Sequence, residues 1–334
     1  ERARPCAQDG TIRTQRKEKS NMEKAVVYFT DFRCPVGTSL TDKLRRLCIA
    51  AGMKNMDLTG KFVAIKMHFG ELGNLAFLRP NYAKVVVDLC KEMGGLPFLT
   101  DCNTLYPGSR RNALEHLDCA NLNGFWPMTT GCQILIGDGL RGTDDVEVPV
   151  KNGEFCKTAR IGRAIMDADV FISLTHFKGH EMTGFGGAIK NISIGIASSA
   201  GKAWIHSAGK TKNAAEMWSA LPPQDDFLES MAEAAKAVAD HCGERILYIN
   251  VMNNLSVDCD AHPAAPEMGD IGILASTDPV ALDKACVDLV YASDDPGKVH
   301  LIERIESRHG THTLDHAAAI GLGDPDYELI DIDN

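Results

Sequence analysis

The segment "THFKGHEMTGFGGAIKNISIG", residues 175–195, holds two histidines, two lysines and five glycines. Glycine lets a backbone approach a bound group closely, and an imidazole or ammonium beside it can bind that group or exchange a proton with it. His176 and His180 stand four apart, a helical spacing, yet an apolar run precedes them and glycines follow at 184, 186 and 187, so the pair reads as part of a loop. Three roles stay open for it: metal ligation, substrate contact with proton transfer, or holding the loop. Gly184, Gly186 and Gly187 precede a helix-like stretch, whose exposed N–H groups, with Lys190 and Lys178 nearby, would favour a carboxylate or phosphate. The dinucleotide fingerprint does not fit, because the third glycine and the later acidic residue are missing. "ASSAGKA", residues 197–203, fails as a phosphate loop, with Ala203 where Ser or Thr is required.

Similar chemistry recurs after other apolar runs. "HFGELGN" brings His68 and Glu71, and "DCNTLYPGSRR" brings Asp101, Asn103 and Arg110. "DGLRG" brings Asp138 and Arg141, and "NNLSVDCDAH" brings Asp258, Cys259, Asp260 and His262. Asp101 or Asp138 could orient the histidines as catalytic groups, and Asn103, Arg110 and Arg141 could bind the anion. His68, Glu71, Asp258 and Asp260 carry nitrogen and oxygen ligands of the kind a divalent metal accepts. Turns and helix caps use the same residue types, so a single loop means little. Five such loops imply a shared cleft.

The elements that would place them there are legible. Runs rich in Val, Ile and Phe at 24–30, 61–67, 96–100, 133–137, 169–174, 245–251 and 270–275 read as strands. Helix-length segments lie at 40–52, 80–94, 109–120, 225–241, 278–291 and 298–308. This alternation predicts an α/β fold, a mostly parallel sheet flanked by helices in three layers. A small antiparallel excursion is expected in "VEVPVKNGEFCKTARI", turning at Asn152-Gly153. Parallel sheets bind ligands beyond the carboxyl ends of their strands, which is where the five loops fall. Residues 203–224, rich in polar residues, Gly and Pro, read as a surface loop or lobe junction.

A net charge of −10 over 334 residues argues against nucleic acid as partner. No apolar run approaches the roughly 18 residues of a membrane helix. Residues 1–21 hold six Lys/Arg, three acids and one large aliphatic, Ile12, so they read as a disordered or non-native extension before a single domain over 22–334. They lack the apolar stretch of a secretory signal, which points to the cytoplasm. The eleven cysteines form no CxxC and read as reduced thiols.

"VAIKMHFGELGN", "FLTDCNTLYPGSRRNALEH", "IGDGLRG", "LTHFKGHEMTGFGGAIKNISIG", "SSAGK" and "DIGILASTDPVALDKACVDLV" together resemble the family named Domain of Unknown Function 362. The resemblance implies an α/β domain, found mostly in anaerobic prokaryotes, often with a ferredoxin-like insert of two four-iron clusters after "AGK". No cysteine lies between Lys202 and Phe227, so the insert is missing here, and "DCDAH" stands where relatives tend to carry "DCDC". Two functions follow as expectations. One is an enzyme with a small anionic substrate, with or without a divalent metal. The other is an accessory module that carries a ligand or metal to an iron–sulfur redox partner. A homo-oligomer fits either.

No 4Fe-4S cluster is expected from this chain, because its cysteines lack cluster spacing. Protein purified without oxygen should show no broad visible absorbance and no stoichiometric iron and sulfide.

Overall fold

The computed structural model describes residues 24–261 and 265–334. The extension expected over 1–21, and His262, lie outside the described residues. Strands are β1 (Ala25–Asp31), β2 (Phe62–Lys66), β3 (Leu96–Asp101), β4 (Ile134–Ile136), β5 (Asp145–Pro149), β6 (Thr158–Gly162), β7 (Val170–His176), β8 (Lys178–His180), β9 (Gly184–Gly186), β10 (Ile246–Met252), β11 (Gly272–Ser276) and β12 (Tyr327–Asp331). Helices are α1 (Leu40–Ala50), α2 (Pro80–Glu92), α3 (Ala113–Leu122), α4 (Pro127–Thr130), α5 (Arg163–Met166), α6 (Ala188–Ile192), α7 (Ser199–His206), α8 (Gln224–Cys242), α9 (Pro279–Ala292), α10 (Lys298–Ser307) and α11 (His312–Ala319).

Eight strands form one sheet in the order β12-β1-β11-β10-β7-β2-β3-β4. Only β11 runs against its neighbours, so the other seven end at a common edge. Alternation of side chains builds a core on each face. On one, Val63, Ile65, Ile172, Leu247 and Ile249 pack with Leu44 and Leu47 of α1 and Val86 of α2. On the other, Ala64, Phe171, Ile246 and Tyr248 pack with α8 and α9 through Met231, Leu282 and Cys286. These are the three layers the alternation predicts. The antiparallel excursion forms as the β5–β6 hairpin, with Asn152 in the left-handed region at φ 61°.

Sequence periodicity misses several elements, among them the four-residue helices α4 and α5. The β8–β9 hairpin is hidden by its glycines, and α7, α11 and β12 are short and weakly patterned. The irregular stretch after α7 runs from 207 to 223, broken by one 3-10 turn at Met217–Ser219.

Chain order along the sheet reverses at one place. From β2 the chain steps outward to β3 and β4, then returns to the other side of β2 as β7 and continues to β10. Helices on either side of such a reversal diverge, leaving a crevice at the carboxyl ends of the two central strands. One of the helices beside that crevice is α6, and it is pinned by a buried carboxylate. Asp283 on α9 accepts the N–H groups of Ala188 at 2.7 Å and Ile189 at 2.9 Å, and the Asn250 amide at 2.8 Å. Burial pushes this carboxyl up to about 6 despite those donors.

Asp283→Asn keeps one accepting oxygen but turns an amide N–H toward a backbone N–H. The expected cost is about 1–3 kcal/mol of unfolding free energy, read as a shift of the denaturation midpoint at unchanged slope.

A basic cavity at the reversal point as candidate functional site

A cavity of about 460 Å³ opens in the crevice between the ends of β2 and β7. The strand face that leads into it changes character along its length. Alternate positions run Ala64, Lys66, His68 on β2 and its extension, and Phe171, Ser173, Thr175 on β7, so an apolar core becomes a polar cavity floor. Asn191 of α6 ties this floor together. Its amide donates to Ser173 at 2.8 Å and Thr175 at 3.0 Å, and its carbonyl accepts from the Lys66 ammonium at 2.8 Å.

Two buried carboxylates anchor the basic groups. Asp101 receives Lys66 and Arg110, each at 3.1 Å, with His116 at 3.6 Å. Burial opposes its charge, but Lys66, His116 and Arg110 hold it well below the usual carboxylate range. Asp260 receives His176 Nδ1 at 2.8 Å and Lys178 at 3.2 Å, and it too is held low against burial by these neighbours. His176 Nε2 donates to the Asn253 carbonyl at 2.6 Å. Both its ring nitrogens are engaged by protein acceptors, which leaves neither free to bind a metal.

His68 and His180 differ from it. Burial and Arg110 push the His68 ring well below its ordinary value, so it is neutral, facing the Gly70 N–H and Arg110, each at 2.9 Å. Burial, then Lys190 and Lys178, depress His180 in the same way. Its Nδ1 accepts the N–H groups of Met182 at 3.1 Å and Thr183 at 3.2 Å, which assigns the ring proton to Nε2.

The cavity wall carries five basic side chains, Lys66, Lys178, Lys190, Lys202 and Arg110, against two acidic ones, Asp101 and Glu181. Lys202 donates to the Ala197 carbonyl, and Arg110 is engaged by Asp101, Glu71, His68 and Tyr106. Lys190 has no hydrogen-bond or ion-pair partner among the described residues, and burial lowers it to about 8.

His68, Asp101, His176, Lys178, His180, Gly186, Gly187, Lys190 and Arg110, all expected from sequence, line this cavity. Others go elsewhere. Gly184 has φ 79° in the β8–β9 turn, pressed against Ile305 and Gly310. Gly187 needs its bare Cα because a Cβ would lie 2.3 Å from Asp283 Oδ1. The anion seat expected at this helix end is thus filled by the chain's own carboxylate. Asn103 donates to Asp138, which burial pushes up to about 6, and neither lines the cavity. Arg141 is exposed outside it.

Of the four expected metal ligands, His68 Nδ1 and Asp260 Oδ2 approach to 3.9 Å, but the four do not close around one point. Glu71 pairs with Arg110 at 3.3 Å and Asp258 with Arg304 at 2.6 Å, while Asp260 is committed to His176 and Lys178. Among the described residues, His180, Glu181 and Cys259 do converge, with ligand atoms within 4.8 Å of one another. Cys259, one of the cysteines expected to be reduced thiols, lines the cavity, and burial raises its pKa.

Sequence reasoning passed over Lys66, Asn191, Lys202 and His206. Lys66 was detectable as the charged residue on an otherwise apolar alternation. His206 lies four residues after Lys202 on α7, hence on its face. Its Nδ1 donates to the Lys202 carbonyl at 2.7 Å and its ring stacks on Phe227 at 5.2 Å. Burial lowers it to about 4, so the ring is neutral and its lone pair sits on Nε2, which has no partner among the described residues.

A mostly parallel sheet flanked by helices, with a polar cavity at its reversal point, defines an open α/β fold. More particularly, the chain belongs to the family described as Domain of unknown function (DUF362), whose model matches residues 63–288. It is similar to the thylakoid-associated protein sll1697 of Synechocystis sp., 27% identical over 247 residues that cover 72% of this chain and 66% of that protein. Among solved structures it is similar to the lactate racemase apoprotein of Thermoanaerobacterium thermosaccharolyticum, at 13% identity and TM-score 0.42, covering 68% of this chain and 50% of that one. A protein from Thermotoga maritima matches at 12% identity and TM-score 0.42, over 84% and 58% of the two chains. The chain thus spans less than two thirds of the length of these proteins. Among the described residues no helix is long and apolar enough to cross a membrane.

The glycines of the segment separate by what a side chain would meet. At Gly186 a Cβ would find only Lys190 Cδ at 3.7 Å and Lys178 Cε at 4.0 Å, whereas at Gly187 it collides with Asp283. Gly186→Ala should therefore leave the melting temperature unchanged within error, and Gly187→Ala should lower stability by about 1–3 kcal/mol.

Proposed function

We propose that the protein is an enzyme acting on a small amphipathic acid, whose carboxylate or phosphate sits among the cavity lysines. The observation that carries this reading is the excess of five basic over two acidic side chains around one 460 Å³ cavity, with Lys190 unpaired among the described residues. A cavity of a few hundred Å³ suits a metabolite-sized ligand. Ile194, Met217 and Trp218 on its wall suit an apolar body. His206 and His180 supply complementary proton chemistry. The bare Nε2 of His206 offers a basic lone pair, and the Nε2–H of the neutral His180 offers a hydrogen bond to oxygen charge that develops on the substrate. Asp260 positions His176 and Lys178 rather than reacting.

A second reading, a module that binds a metal for a redox partner, is favoured by the convergence of His180, Glu181 and Cys259. Three features weigh against it. His180 Nδ1 accepts two amide protons, so a metal at Nε2 would force an N–H against N–H contact. The Cys259 thiol is hard to deprotonate, and Lys178 and Lys190 repel a cation.

A melting-temperature screen over carboxylates, phosphates and divalent metals tests both. Acids should stabilise the protein and metals should not. Lys190→Met should weaken acid binding by about tenfold or more, since a charge-assisted contact contributes about 1.5–3 kcal/mol. Lys190 is charged below about 8 and neutral above, so acid affinity should fall as pH rises through that value and lose this step in Lys190→Met. Stabilisation by metals alone, insensitive to Lys190→Met, would support the second reading.

A further inference from the structure

We infer that the Lys190 amine captures a carbonyl-bearing acid covalently, as an imine with an oxo acid whose carboxylate the neighbouring lysines hold. The inference rests on the anion-site reading above and goes beyond it. The other cavity lysines are committed: Lys66 to Asp101 and Asn191, Lys178 to Asp260 and the His176 carbonyl, Lys202 to the Ala197 carbonyl. Lys190 alone among them has no acceptor among the described residues, on a helix whose start is pinned by Asp283. Its side chain runs over the bare Cα of Gly186, with Cδ 3.7 Å from where a Cβ would lie.

The surroundings suit an amine nucleophile. Lys178, Lys66, Glu181, Cys259, His180 and His206 share its cavity wall, and burial above all lowers its pKa to about 8. A desolvated lysine among other cations releases its proton readily and exposes the lone pair that attacks a carbonyl carbon. The Lys190 ammonium, which titrates at about 8, gives one proton to solvent, the nitrogen adds to the carbonyl carbon, and the resulting carbinolamine oxygen takes one proton back. With the second proton from nitrogen it leaves as water. The net change is ammonium plus carbonyl giving iminium plus water, with no oxidant or reductant. The iminium keeps its positive charge beside the carboxylate.

The test uses phenylpyruvate, with phenyllactate as the same body without a carbonyl. Intact chain is incubated with phenylpyruvate and cyanoborohydride, and the adduct is mapped by peptide mass spectrometry. The expected result is a single reduced adduct on Lys190, lost in Lys190→Arg, with phenyllactate raising the melting temperature of both proteins. Lys190→Met replaces the arginine variant if that one melts early, and its phenyllactate shift is then expected to be smaller than that of the unaltered protein. Phenyllactate stabilisation without an adduct, or adducts scattered over other lysines and unchanged in the variant, would overturn the imine and leave the anion site standing. An adduct on Lys190 without phenyllactate stabilisation would support the reactive amine and remove the anion seat. Neither adduct nor stabilisation would overturn both.

Discussion

Two carboxylates below the cavity, Asp101 and Asp260, are the constraint from which the site follows. Each is almost wholly buried, and a buried charge is tolerable only when paired and fully hydrogen-bonded. Asp101 meets this through Lys66 and Arg110, and Asp260 through Lys178 and His176. The pairing works in both directions. Without the carboxylates the basic side chains could not be held at the end of a parallel sheet, and without those side chains the carboxylates would not stay ionised. Because each carboxylate stands at a strand end or in the loop after one, the charges are set where β2, β3, β7 and β10 converge.

Much of the fold was legible because its signals are local. Apolar runs and capped helices placed all seven expected strands and six helices within a few residues, for example Asp278 accepting from Val280 and Ala281 ahead of Pro279 at the start of α9. The parallel arrangement then put the loops of His68, Asp101 and His176 at one edge. What stayed illegible was nonlocal. Nothing near Gly187 announces that Asp283, far along the chain, will occupy the start of α6. Nor does the sequence around Glu71 and Asp258 indicate that arginines will claim them before a metal could.

The glycines of the 175–195 segment show the same division. They were read as making room for a ligand, and most make room for the chain itself. Gly179 lies where a Cβ would meet the Val257 backbone at 2.5 Å, and Gly184 and Gly187 are pressed against Ile305 and Asp283. Only Gly186 and Gly195 border the cavity lysines, Gly195 with Lys66 Nζ 3.1 Å from its Cβ position. Close approach is what glycine permits, and the sequence alone does not say to what.

This distribution explains why one lysine stands apart. A short helix whose N-terminus is already capped by Asp283 offers no donor to a ligand, so α6 contributes to the cavity through side chains alone. Asn191 faces the sheet and is consumed by Ser173, Thr175 and Lys66. Lys190, one residue earlier, is turned by the helix repeat away from those partners and toward the open space above Gly186. The hydrogen-bonding that fixes α6 so firmly is therefore the reason its lysine is left without an acceptor among the described residues. An unpaired ammonium in a buried wall is costly, and the cost is lowered either by losing its proton or by gaining an anion.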